Sequence, residues 1–266
     1  MKNMACDLLA EYEALAVTAR GLTAAQWAVP TGFFHWTPWD EIAHLCYFDA
    51  AALLAVQGQA AFGNHLATLM PRLARGEQIS DIAREAYDSV PGPELLTRWR
   101  SVFVRLVDAL AALGPTERLP WYGPPMSARS FASARLMEVW AHGQDIHDAV
   151  RASRPATRRL RHIAHIGVTT YGWSFVNRKL PVPSPGPHVC LMGPDADEWA
   201  WGDPSSQNSV KGPAHDFCLV VTQRRNLADT SLQIRGAGAQ AWMDIAQCFA
   251  GPPADGPTPG ARNGPA

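Results

Sequence analysis

Apolar residues recur at helical spacing through the first 150 residues, and this rhythm constrains the chain more than any other feature. Leu8, Tyr12, Leu15, Ala19 and Leu22 follow a 4-3-4-3 spacing, which lines one face of a helix. A second helix is expected from Thr37, which can cap it; Pro38 suits its first position and Asp40 falls where a capping-box acid belongs. It continues through Ile42, Leu45, Ala52 and Val56 to Gly58. A third carries Leu95, Trp99, Val102, Leu106 and Leu113 and ends at Gly114-Pro115. The fourth starts near Ser130 and runs through Leu136, Val139, Gly143, Ile146 and Val150. Four long amphipathic helices read as a bundle. Residues 58–92 are less regular and are expected to hold shorter helices. The stretch Leu119–Ser127 (LPWYGPPMS) reads as irregular, with Trp121 and Tyr122 suited to a cavity rim.

Beyond residue 150 the pattern changes. A long helix is expected over Thr157–Lys179, holding His162 and His165, followed by the Pro-rich turn PVPSPGP. Short strand-like runs follow at His188–Met192, Glu198–Trp201 and Ser231–Arg235, with helices at Pro213–Thr222 and Gln240–Phe249. The expectation is a mostly α chain: a helical domain over 1–152, a small α+β domain over 153–250, and a disordered Gly/Pro-rich tail over 251–266.

Composition excludes several classes. With 47% hydrophobic and 18% charged residues the chain can bury a substantial core and is not largely disordered. The formal net charge is −1 and the nearest basic run, Arg158-Arg159-Leu160-Arg161, is short, so no nucleic-acid partner is expected. No apolar run approaches the roughly 20 residues that span a bilayer, so no membrane association is expected. Asp7 and Glu11 break any signal-peptide pattern at the N-terminus, which points to a cytoplasmic location. Five widely spaced cysteines without a Cys-x-x-Cys pair indicate neither a zinc knot nor a disulfide framework.

Glu138 and His142 lie four apart in LMEVWAHGQD, which on a helix puts both on one face, one turn apart. They adjoin the apolar stripe, where a carboxylate and an imidazole are costly to bury without a partner such as a metal ion. Spacing alone is met more often by a solvent-facing helix pair. His44, in WDEIAHLCYFD, gains meaning only as a third donor from a different helix, since a catalytic zinc-type site uses three protein ligands and an open position.

The segments PTGFFHWTPWDEIAHLCYFD, GPPMSARSFASARLMEVWAHGQDIHDA and GPAHDFCLVVTQRRNLADTSLQIRGAGAQAWMDIAQCFAG together resemble an actinobacterial group related to mycothiol-dependent maleylpyruvate isomerase, within the DinB-like metalloprotein superfamily. The resemblance spans about residues 5 to 250. It implies a DinB-like four-helix bundle followed by a small α+β C-terminal domain. It also implies a metal held by a His on the second helix and an E-x-x-x-H on the fourth, matching His44, Glu138 and His142. Where the family commonly has Gly-Trp this chain has His35-Trp36, and His35 is expected to point outward. Arg224 and Arg225, in TQRRN, stand where thiol-using relatives have a Gly-Arg; they are either a carboxylate-gripping fork or a surface pair at a helix end. His162 and His165 are expected at the boundary or surface.

Two imidazoles and one carboxylate suit one divalent ion, Zn2+ favoured, with Ni2+, Fe2+ or Mn2+ also able to bind. Three functions stay open. In the first, the ion activates mycothiol for isomerisation of, or thiol transfer to, a small activated or unsaturated metabolite, with Arg224 holding a substrate carboxylate and Asp145 orienting His142. In the second, a thiol-independent Lewis-acid isomerase, cyclase or hydrolase acts on a hydrophobic metabolite. In the third, the metal only closes a binding module, with Asp145 or His35 as a fourth ligand.

Overall fold

The computed structural model describes residues 1–262, and the chain divides into two compact units, Met1–Val150 and Arg151–Ala266. The first is built on α1 (Lys2–Arg20), α2 (Pro38–Gln57), α3 (Gln59–Ala74), α4 (Ile79–Glu85), α5 (Gly92–Ala112), the short strands β1 (Arg118–Leu119) and β2 (Met126–Ser127), and α6 (Ala128–Ala149). Helices α1, α5, α2 and α6 pack in that order around a four-helix bundle, while α3 and α4 lie against α2.

Local chemistry explains the boundaries. Thr37 Oγ1 accepts from the Asp40 amide at 3.3 Å and Asp40 Oδ2 accepts from the Thr37 amide at 2.7 Å, completing the expected capping box with Pro38 in the first turn. Arg84 Nε donates to Asp40 Oδ1 at 2.7 Å, fixing α4 to the same turn. Ser127 caps α6 by accepting from the Ser130 amide at 3.1 Å, immediately after the β1–β2 pairing of Leu119 with Met126. The α1 stripe is buried as spaced, at Leu8, Tyr12, Leu15 and Ala19, against Leu95, Trp99, Phe103 and Leu106 of α5. Each such aliphatic side chain contributes about 1.5–3 kcal/mol on leaving water.

The second unit contains α7 (Leu160–Thr169), α8 (Tyr171–Val176), β3 (His188–Met192), β4 (Glu198–Trp201), β5 (Ser209–Pro213), α9 (Ala214–Val221), β6 (Gln233–Arg235) and α10 (Ala237–Ile245). The sheet order is β4-β3-β5-β6, with β3–β5 parallel and the outer pairs antiparallel. Val189, Leu191 and Val210 of the two central strands are fully buried with Trp199, Phe217 and Trp242. Gly167 lets α7 approach α9, since a Cβ there would stand 2.8 Å from Phe217.

Two expectations are corrected and one strand was not foreseen. The single helix over Thr157–Lys179 is two, broken where the Thr169 and Thr170 hydroxyls bond back to the carbonyls of His165 and Ile166 at 2.9 and 2.8 Å. The central strand β5 goes unannounced by its sequence, SVKGP, because Gly and Pro erase the alternation. The tail is not loose over 251–262: Gln223 Nε2 and Arg178 Nη2 both donate to the Ala254 carbonyl at 2.6 Å, and Asn226 Nδ2 donates to that of Pro257 at 2.8 Å. The Gly260 amide donates to Asp229, and Arg262 is buried with Nη1 donating to the Gln223 carbonyl at 3.3 Å. The tail lacks apolar residues for a core, but its main chain accepts bonds that side chains of the second unit supply. Residues 263–266 of the expected disordered tail lie outside the described residues. Among the described residues no helix is long and apolar enough to cross a membrane.

Candidate metal centre

The ladder of α6 sets one polar row inside the bundle. Arg135, Glu138, His142 and Asp145 fall at i, i+3, i+7 and i+10, so all lie on one face. Opposite them α2 presents His44, whose ring centroid is 4.4 Å from that of His142. Glu138 Oε2 lies 3.3 Å from His142 Nε2 and 3.7 Å from His44 Nε2, and the three residues offer donor atoms all within 4.8 Å of one another. Ligands about 2.0–2.2 Å from a tetrahedral Zn2+ are roughly 3.3–3.6 Å apart, so the cluster has the dimensions of such a site. The structure brings together the Glu138–His142 pair marked by its one-turn spacing and the His44 that the family resemblance implied.

The protonation states suit a cation. Burial, with the neighbouring His142, lowers His44 to about 4, which keeps its imidazole neutral. Burial alone would raise the Glu138 carboxyl, but the adjoining His142 and His44 rings and the charge of Arg135 outweigh it and hold the group well below the usual carboxylate range. His44 Nδ1 is buried without a hydrogen-bond partner. The His142 side chain is 5% exposed against 16% for His44 and 26% for Glu138, so solvent reaches the cluster from the Glu138 side.

Sequence reasoning missed the residue that orients His142. Glu41, fully buried one turn before His44, accepts from His142 Nδ1 at 2.6 Å, and Thr31 Oγ1 donates to its other oxygen at 3.0 Å. With Nδ1–H so engaged, the Nε2 lone pair faces Glu138 and His44, the arrangement metal-ligating histidines use. Asp145, expected in that orienting role, is fully buried and groups with Glu41 and His142. The spacing of Glu41 gave no separate signal, because it also serves as a first-turn acid of α2.

The turn before α2 covers the site. Phe34 and His35 take left-handed φ of 48° and 58°, and the Thr31 amide donates to the Trp36 carbonyl at 2.6 Å. This directs Phe33 edge-on to His142 at 5.4 Å and lays Trp36 parallel to the same ring at 6.0 Å, while His35 is exposed, as expected. The Arg84 guanidinium sits over the Trp36 ring at 5.5 Å. On the far side of His44, Phe48 stands at 4.6 Å and leads to Tyr122 at 5.7 Å, whose hydroxyl is 2.7 Å from His65 Nε2. Trp121 stacks instead on Phe62, and Trp140 is buried in the core.

Arg224 and Arg225 are not a surface pair. They are 3% and 7% exposed, and Arg224 Nη1 donates to the Thr222 carbonyl at 2.7 Å, at the end of α9. His165 is exposed and His162 half-buried.

Fold and site together define a class: a DinB-like helical bundle with a His/Glu/His cluster dimensioned for a metal, followed by a small α+β unit. The chain belongs to the family of the mycothiol maleylpyruvate isomerase N-terminal domain, whose model matches residues 8–147. Two uncharacterized proteins of Mycobacterium tuberculosis, from strains CDC 1551 / Oshkosh and ATCC 25618 / H37Rv, are each 44% identical over 252 residues, covering 94% of this chain and 96% of theirs. The crystal structure of the mycothiol-dependent maleylpyruvate isomerase matches with a TM-score of 0.53 at 16% identity, over 82% of this chain and 87% of that one. A histidine-to-alanine mutant of that enzyme matches with the same TM-score at 14% identity and the same coverage.

Proposed function

We propose that this chain is a metal-dependent enzyme that holds one divalent ion, Zn2+ favoured, through His44, Glu138 and His142. In this reading it uses mycothiol to isomerise, or to transfer a thiol to, a small activated or unsaturated metabolite. The observation that carries it is the three-donor cluster, buried at His142 and open to solvent at Glu138. Family membership supports the thiol. A bound divalent ion with an open position would lower the pKa of a thiol or water placed there, giving a nucleophile near neutral pH.

The chain's own residues supply the rest. Glu41 keeps the His142 Nδ1 proton and so fixes its tautomer. Phe33 and Trp36 exclude water from the His142 side, leaving Glu138 as the open edge. Arg224 stays in the proposal as the residue that would grip a substrate carboxylate; its side chain is buried at the end of α9, with Nη1 donating to the Thr222 carbonyl.

A thiol-independent reaction on a hydrophobic metabolite is favoured by one feature, the aromatic wall from Phe48 to Tyr122 beside His44. A purely structural metal would call on His35 or Asp145 as fourth ligand; His35 is exposed, and Asp145 groups with Glu41 and His142 but not with His44 and Glu138.

The test is elemental analysis of wild type and Glu138→Ala after exposure to Zn2+. One equivalent in wild type, lost in the variant, supports the site; no metal in wild type overturns the proposal. Turnover of maleylpyruvate-like substrates that requires mycothiol then supports the thiol reading, and equal turnover without it selects the alternative.

A further inference from the structure

Below the candidate metal centre one carboxylate joins all four bundle helices. Asp49 of α2 is fully buried; its Oδ1 accepts from Tyr12 Oη of α1 at 2.6 Å and from Arg135 Nε of α6 at 2.9 Å. Its Oδ2 accepts from Trp99 Nε1 of α5 at 2.8 Å. Arg135 is itself 4% exposed, and its Nη2 is buried without a hydrogen-bond partner.

Stability alone does not account for such a pair. Two charges taken fully out of water rarely gain over a well-packed apolar replacement, and a buried donor left open adds to the cost. What the pair does supply is direction. Apolar contacts between helices tolerate sliding, whereas a charge-assisted bond from Arg135 Nε to Asp49 is met at one axial register and one rotation. The two residues sit on the same two helices as the proposed metal ligands: Asp49 five residues after His44, and Arg135 three before Glu138 and seven before His142. A one-turn slip between these helices is about 5.4 Å. That exceeds the 4.8 Å within which the three donor atoms lie, and metal–ligand distances tolerate only about 0.2 Å.

We propose that the Asp49–Arg135 pair, braced by Tyr12 and Trp99, is the positioning device of the metal centre: it sets the register of α2 against α6 and so the distance of His44 from Glu138 and His142. The charge of Arg135 also bears on Glu138 and on His44, which places the guanidinium electrostatically next to the site it supports. The inference rests on the metal reading above and adds two residues to it that touch neither ion nor substrate.

The experiment is Co2+ titration of wild type, Asp49→Asn, Arg135→Met and the double variant Asp49→Asn/Arg135→Gln. The readouts are Co2+ affinity by chelator competition, the visible absorption of bound Co2+, far-UV circular dichroism and Tm. The expected result is a wild-type tetrahedral Co2+ spectrum and a loss of about tenfold or more in affinity in each folded single variant, with an altered spectrum. The double variant, whose neutral amides can still bond across the two helices, should recover affinity and spectrum toward wild type; it also keeps the test decisive should a single variant fail to fold. Variants that lose only Tm, with wild-type affinity and spectrum, or a double variant that regains Tm without regaining affinity, overturn the inference while leaving the metal reading intact. A wild type that takes up no Co2+ overturns both.

Discussion

The two units bury charge in different ways. In the first, every buried carboxylate among the described residues (Glu11, Glu41, Asp49 and Asp145) lies inside the bundle, and the bonds of Glu41 and Asp49 run to His142 and Arg135 on α6. In the second, the buried charges are arginines, and Arg224, Arg225 and Arg262 each donate to a main-chain carbonyl. A guanidinium on a carbonyl satisfies an acceptor that the chain must satisfy anyway. A carboxylate on an imidazole instead fixes a protonation state and a ring orientation, which is of use to chemistry rather than to folding. On the proposed metal reading, the contrast places the chemistry in the bundle.

Two substitutions and a truncation probe that contrast. The largest effect is expected from His142→Ala, which removes a donor at the buried corner of the cluster; stoichiometric metal should be lost by elemental analysis, with helical content retained by circular dichroism. Retained metal would show that the assignment of charge to chemistry in the bundle is wrong. Next is Glu41→Gln, which keeps the shape but cannot hold the His142 proton as an anion does; a weakening of metal affinity by about 10–100-fold is expected from chelator competition. An unchanged affinity would reduce Glu41 to a packing residue. Smallest is truncation after Gly251, which removes Arg262 and the acceptors of Gln223, Arg178 and Asn226. It should lower stability by about 1 kcal/mol for each buried bond left open and leave metal affinity unchanged in equilibrium denaturation and titration. No loss of stability would return the tail to the loose segment that its composition implies.

What the sequence made legible was local. The Thr37–Asp40 capping box, the α1 stripe and the one-turn spacing of Glu138 and His142 each depend on steps of three or four residues, where backbone geometry dictates who meets whom. The DinB-like fold came from the resemblance, which the family match bears out. What stayed hidden was distant or main-chain. Glu41 meets His142 across 101 residues and Asp49 meets Arg135 across 86, and neither pairing has a spacing to betray it. The tail carries almost no side chains that pack, so its order resides in carbonyls and amides, which composition does not distinguish from those of a free coil.

The Asp49 junction also bears on how the bundle forms. Its carboxylate draws one donor from each of the other three helices, so α2 docked with only two of them leaves a buried anion short of a partner. Such half-built states are penalised in a way that a purely aliphatic interior would not penalise them. The four helices therefore gain by docking together, and amide exchange at their buried turns should report one shared opening rather than a ladder of separate ones.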